Sequence, residues 1–119
     1  MAKRKPMKKL KFRIWDRQLK KFLYQLPEQH HLDWKRFEVQ QFIGLLDKRG
    51  KEICEGDIVD FDWNNGYGDI FHHRGIVMYS APNYVFKVGK EIWRWLKSNV
   101  EVEVIGNIYE NENLLEENN

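Results

Sequence analysis

Two carboxylates, Asp60 and Asp62, stand two residues apart in a stretch that alternates acidic and apolar side chains. On an extended strand they share one face, roughly 6.5–7 Å apart, a spacing that paired acid–base carboxylates can use. With Val59, Phe61 and Trp63 on the opposite face, the same pattern also describes a solvated sheet surface. His72-His73 invites a metal reading, but neighbouring strand residues point to opposite faces and are poorly placed to chelate one ion. His30-His31 adds a second pair in a polar loop, with no repeated ligand spacing. Cys54 has no activating context and reads as a buried structural thiol. Ser80 and Ser98 sit in no nucleophile motif, and Gly66-Tyr67-Gly68 is too short to cradle a phosphate. No catalytic residue, metal or cofactor is assigned, and the chain reads as non-enzymatic.

Recognition chemistry is better represented. Lys90-Glu91-Ile92-Trp93-Arg94-Trp95-Leu96-Lys97 interleaves two indoles with cations. Such a run can stack bases against phosphate contacts, anchor a protein interface, or complete an aromatic core. Tyr67, Phe71, Tyr79 and Tyr84 are open to the same three readings. Tyr67, Phe71, Tyr84, Trp93, Arg94 and Trp95 are the candidate partner-binding residues. A second candidate is the basic arm, whose Lys3, Arg4, Lys5, Lys8 and Lys9 can attract nucleic acid or an acidic partner.

The elements that must position these groups are strands. Leu10, Phe12 and Ile14 alternate with cations, and Trp15-Asp16 opens a turn before a returning strand over residues 20–24. A polar loop over 26–33 leads into an expected strand over 34–43. Asp47-Lys48-Arg49-Gly50 has Asp first and Gly fourth, the preference of a type I turn in a short bulged hairpin. Glu55-Gly56 is a second tight turn, followed by the strand 57–63 and a hairpin turn at Asn64-Asn65-Gly66. Strands are expected over 70–80 and 83–88, while 91–96 fits strand or helical turn. Val100, Val102 and Val104 alternate with Glu101 and Glu103 as a strand, and either this strand or a hairpin edge could pair with a second copy. A helical turn around Leu114-Leu115 ends the pattern.

The 119 residues suit one domain. The expected organisation is a mobile basic arm (1–9), a single β domain (10–115) and an acidic tail (116–119). Seventeen aromatic residues can build a compact core. A single cysteine fits a reducing compartment, and neither a membrane-length apolar run nor a secretory signal is present, so a cytoplasmic location is expected. The net charge of +2 places the basic character in the first eleven residues and leaves the body mildly acidic. Many short strands with frequent turns indicate a small barrel or sandwich.

Three blocks then carry a resemblance. Lys11-Phe12-Arg13-Ile14-Trp15-Asp16, the segment from Phe42-Ile43-Gly44 through Asp47-Lys48-Arg49-Gly50 to Glu55-Gly56-Asp57-Ile58-Val59, and Val104-Ile105-Gly106-Asn107-Ile108-Tyr109-Glu110-Asn111 together resemble the YopX family of small phage and prophage proteins. The resemblance implies a mainly β fold, a small SH3-like barrel with extra hairpins and a short C-terminal helical turn. It implies a phage or prophage origin and no particular activity. Cys54 stands where the family more often has an aromatic residue, and residues 64–99 lie outside the signature. The function expected is a phage-encoded binding protein that occupies a host bacterial protein, as an inhibitor of host machinery or of an antiphage defence protein. The alternative is a nucleic-acid-binding barrel that uses the basic arm and Trp93/Trp95. Self-association is open, and no membrane partner is expected.

Overall fold

A computed structural model describes residues 11–25, 33–64, 66–81, 83–94 and 100–116. The basic arm, Trp95 and the loop with His30-His31 lie outside these residues. The chain is mainly β, with nine strands and one short helix among the described residues. It divides into two compact units, Met1–Gln41 and Phe42–Asn119.

In the first unit, β1 (Phe12–Asp16) pairs antiparallel with β2 (Lys21–Leu23) on one side and with the first half of β3 (Phe37–Leu46) on the other. Burial does not alternate here: Arg13, Ile14, Trp15 and Asp16 are all buried and Phe12 is exposed, while Trp15 packs edge-on against Phe22 at 4.9 Å. The strand expected over 34–43 begins later, at Phe37, because Asp33 diverts the chain into a turn. Its side chain accepts the Lys35 amide, and its carbonyl accepts those of Arg36 and Phe37.

In the second unit, the other half of β3 pairs with β4 (Glu52–Cys54), a short strand that the turn signals around it had hidden. Five strands follow the spatial order β8-β7-β6-β5-β9: Glu91–Arg94, Asn83–Val88, Ile70–Ser80, Asp57–Asn64 and Val100–Asn107. The segment with two readings, 91–96, is therefore extended as far as Arg94. Ile53, Val59, Phe61, Val77, Phe86 and Val102 form the core, with Phe61 and Phe86 stacked at 4.3 Å. Trp93 packs against this cluster rather than standing clear of it. The helix α1 (Asn113–Glu116) falls where the Leu114-Leu115 turn was expected.

The β3–β4 turn also contacts β9. The Lys48 amide donates to the Val102 carbonyl at 2.9 Å, and the Val104 amide donates to the Asp47 carboxylate at 2.9 Å. The β3–β4 turn thus takes edge groups that a second copy would have to pair with.

Candidate functional site

The blocks that carry the family resemblance are occupied with holding the chain in shape. Asp47 is buried, and its carboxylate accepts the amides of Arg49, Lys51 and Val104 at 2.8–2.9 Å. Burial pushes its pKa up, but those three donors outweigh burial and leave it below the ordinary carboxylate value. The Asp47 carbonyl accepts the Gly50 amide, and Gly50 has φ +84°, the turn expected at this position. Asp57 caps the next turn by accepting the Cys54 amide at 2.8 Å. Gly56, at φ +83°, donates its amide to Val77 and accepts that of Ile108. Asn107 accepts the amides of Tyr109 and Glu110, while Asn111 accepts that of Asn107. In the first unit, Asp16 receives the Arg36 guanidinium at 2.9 and 3.0 Å and the amides of Gln18 and Leu19. Arg36 above all holds the Asp16 carboxyl down at about 2. The signature is a set of carboxylate and amide brackets, which makes it a description of the fold and leaves any binding residues to the segments between.

The chemistry-bearing pairs are largely absorbed by one sheet face in the second unit. Asp60 lies opposite Arg74 on β6 and Glu103 on β9; Asp62 lies opposite His72 and Glu101. Arg74 donates to Asp60 at 2.8 Å and to the Leu114 carbonyl at 3.2 Å, and His72 Nδ1 contacts the Asp62 carboxylate. Glu103 is held by Arg49 at 2.8 Å and by Lys48 at 3.4 Å. Lys48, Asp60, Asp62, His72, Arg74 and Glu103 line an open cleft of about 580 Å³, together with Phe61, His73 and Val88. Like charges lie directly opposite across β5–β9, and the surrounding cations offset their repulsion. Each exposed pair is worth only about 0.2–1 kcal/mol, so the face is a charge pattern more than a source of stability. His73 turns to the opposite side, as the strand alternation required, and its ring lies 4.4 Å from Trp93 and 5.5 Å from Phe61. Among the described residues no group of three or more His, Cys, Asp or Glu is arranged to hold a metal ion.

The candidate partner residues do not form one patch. Tyr67 and Phe71 stand at the β5–β6 hairpin end, 91% and 43% exposed, with Ile70 between them in sequence and 57% exposed. Tyr84 lies toward the opposite end of β6, across from Tyr79 at a ring separation of 5.3 Å. Phe71 and Tyr79 are eight residues apart on one strand, about 26 Å. The Tyr84 hydroxyl is half-buried and donates to Glu55 at 3.5 Å. Burial first, and the Glu55 charge second, push its pKa up. Trp93 is half-buried against the core, the Arg94 backbone continues β8, and Trp95 lies outside the described residues, as do Lys3, Arg4, Lys5, Lys8 and Lys9. Sequence reasoning missed Ile70, a large apolar residue just after the Gly66-Tyr67-Gly68-Asp69 turn; that placement was the available signal.

Within the mildly acidic body the charge divides further. Residues 12–41 carry six basic and four acidic side chains, whereas 42–119 carry eight basic and fourteen acidic. The division between compact units falls at the same place, after Gln41. The body is thus basic in its first unit and acidic in its second.

No helix among the described residues is long and apolar enough to cross a membrane. Comparison with curated proteins returned no match. Among solved structures, the chain is similar to protein EF1440 from Enterococcus faecalis, with a TM-score of 0.61 and 22% identity over 89% of this chain and 97% of that one. At that identity the likeness concerns the fold. The family model described as YopX protein matches residues 24–116, which takes in the second and third signature blocks and leaves β1 outside. Spanning most of the chain, this match establishes that the protein belongs to the YopX family.

Proposed function

We propose that this chain is a non-enzymatic binding protein that acts by occupying a host bacterial protein, inhibiting either host machinery or an antiphage defence protein. The observation that carries the reading is the β5–β6 hairpin end, where Tyr67, Ile70 and Phe71 are all exposed on one short stretch of the second unit. Tyrosine and phenylalanine supply large contact area at small entropic cost, and aromatic anchors of this kind dominate interface energies. The hairpin is tied to the sheet by seven β5–β6 partners from Ile58↔Ile76 to Asn64↔Ile70. The adjoining rows of Asp62, His72 and Glu101 supply a charge pattern that orients a partner and speeds encounter. The phage or prophage origin implied by the family resemblance supports a bacterial host as the source of that partner.

The test is an affinity capture from nuclease-treated host lysate with the parent chain and with a Tyr67→Ala/Phe71→Ala double variant. A single protein retained by the parent at moderate salt and lost by the double variant supports the reading. Retention by both forms sinks the assignment of the hairpin end, and capture of nothing but nucleic-acid-associated proteins sinks the reading itself.

A further inference from the structure

We infer that the end of the first unit carrying Trp34 is a binding surface for single-stranded nucleic acid. The β1–β2 turn and the Asp33 turn lie side by side there, because the Arg17 amide donates to the Arg36 carbonyl at 2.8 Å. The Arg17 guanidinium donates to the carbonyls of Trp34 and Lys35 at 3.1 and 3.3 Å and to the Glu38 carboxylate at 2.7 Å. The Asp16–Arg36 fork ties the same two turns together from beneath. Trp34 is thereby presented on a stapled turn with its side chain 66% exposed. Such preorganisation lowers the ordering cost of binding.

The two turns carry five cations, Arg17, Lys20, Lys21, Lys35 and Arg36, against three carboxylates, of which Glu38 is held by Arg17 and Asp16 by Arg36, while Asp33 precedes Trp34. Lys20, Lys21 and Lys35 are exposed, and among the described residues no carboxylate forms an ion pair with any of their ammonium groups. Lys21 lies opposite Asp16 in the β1–β2 register, and the Lys20 amide donates to the Asp16 carbonyl, so both belong to the same end of the sheet. An exposed indole flanked by unneutralised lysines offers a stacking face for a base and partners for the adjoining phosphates. A base reaches such a face only when it has left its duplex stack, which favours a single strand. None of the hairpin-end residues takes part, so the surface stands whether or not the protein-binding reading holds.

The experiment is fluorescence anisotropy of a labelled oligothymidylate of about 12 nucleotides with the full chain, titrated from low to moderate salt. Lys20, Lys21 and Lys35 can supply about three phosphate contacts, for a log–log salt slope near −2 on a single strand. Trp34→Ala is expected to weaken binding about tenfold. A Lys21→Glu/Lys35→Glu variant is expected to weaken it at least as much and to flatten the slope by about 1.4. This double variant keeps the test decisive should Trp34→Ala fail to fold. Replacing Lys3, Arg4, Lys5, Lys8 and Lys9 by glutamine in the full chain must leave the loss caused by Trp34→Ala in place. Absence of binding overturns the inference, as do variants that both bind like the parent. Duplex DNA bound as tightly as the single strand also overturns it. Polyglutamate displacing the oligonucleotide from parent and Trp34→Ala alike does so too, and points to an acidic protein.

Discussion

Replacing Asp47 by alanine removes one acceptor from three backbone amides at once, those of Arg49, Lys51 and Val104. A hydrogen bond to a charged acceptor contributes about 1.5–3 kcal/mol, but Arg49 and Lys51 are exposed and their amides can turn to water. Val104 is half-buried and its amide has less recourse. The expected loss is therefore about 3 kcal/mol, well short of three full bonds yet a large share of the roughly 5–15 kcal/mol that holds a small domain together. At a urea slope of about 1.5 kcal/mol per molar, the unfolding midpoint falls by about 2 M. Asp47→Asn keeps one acceptor oxygen but turns an amide donor toward a backbone donor, so its loss should be intermediate. Because the carboxyl is held below its ordinary value in the folded chain, its contribution is complete above the ordinary carboxylate range and drains away as the pH falls below it. Urea unfolding followed by tryptophan fluorescence gives the free energy, and amide hydrogen exchange at Val104 reports on the β9 edge directly. A loss under about 1 kcal/mol, or unchanged exchange at Val104, refutes the claim that this carboxylate clasps β9.

Three further outcomes follow from the same geometry. Asp16, held at about 2 against an ordinary 3.8, contributes stability that is complete above pH 4 and is lost toward pH 2; Arg36→Met should raise the acid unfolding midpoint, and identical midpoints contradict the pairing. A methyl group added at Gly106 would lie 2.6 Å from Asn111 Oδ1, so Gly106→Ala should cost about 1–3 kcal/mol by displacing the side chain that accepts the Asn107 amide; a neutral thermal melt denies that contact. Tyr67→Ala/Phe71→Ala should leave the far-ultraviolet circular dichroism and the urea midpoint within about 0.5 kcal/mol of the parent, because exposed side chains contribute little to folding; a cooperative loss of structure places these rings in the fold instead.

The sequence was most legible where one local rule governed a segment. The Val100, Val102 and Val104 alternation yields β9, Asp57 onward yields β5, and the Asp-to-Gly spacing at Asp47–Gly50 yields the β3–β4 turn. It was misleading where a side chain overrode the pattern: Asp33 holds residues 34–36 in a turn, so Trp34 leaves the expected strand and becomes a surface residue. Long-range contacts had no local signature, which is why the closure of the β9 edge by Asp47 and Lys48 could not be read from Val100–Val104 alone. The candidate site was legible in composition only. Aromatic content identified Tyr67, Phe71, Tyr84 and Trp93, but strand register and burial decide that Tyr67 and Phe71 stand at one end of β6, Tyr84 on β7 beside its other end, and Trp93 on the core side of β8. The charge division after Gln41 stayed hidden because β3 runs unbroken across it.

The measurement that bears most directly on the central proposal is the affinity of the captured host protein, by titration calorimetry, for the parent chain, Tyr67→Ala/Phe71→Ala and Trp34→Ala. Loss of two aromatic anchors should weaken binding by at least tenfold, with unchanged folding, while Trp34→Ala leaves it intact. Equal affinity for the parent and the double variant would contradict the assignment of the β5–β6 hairpin as the protein-binding end.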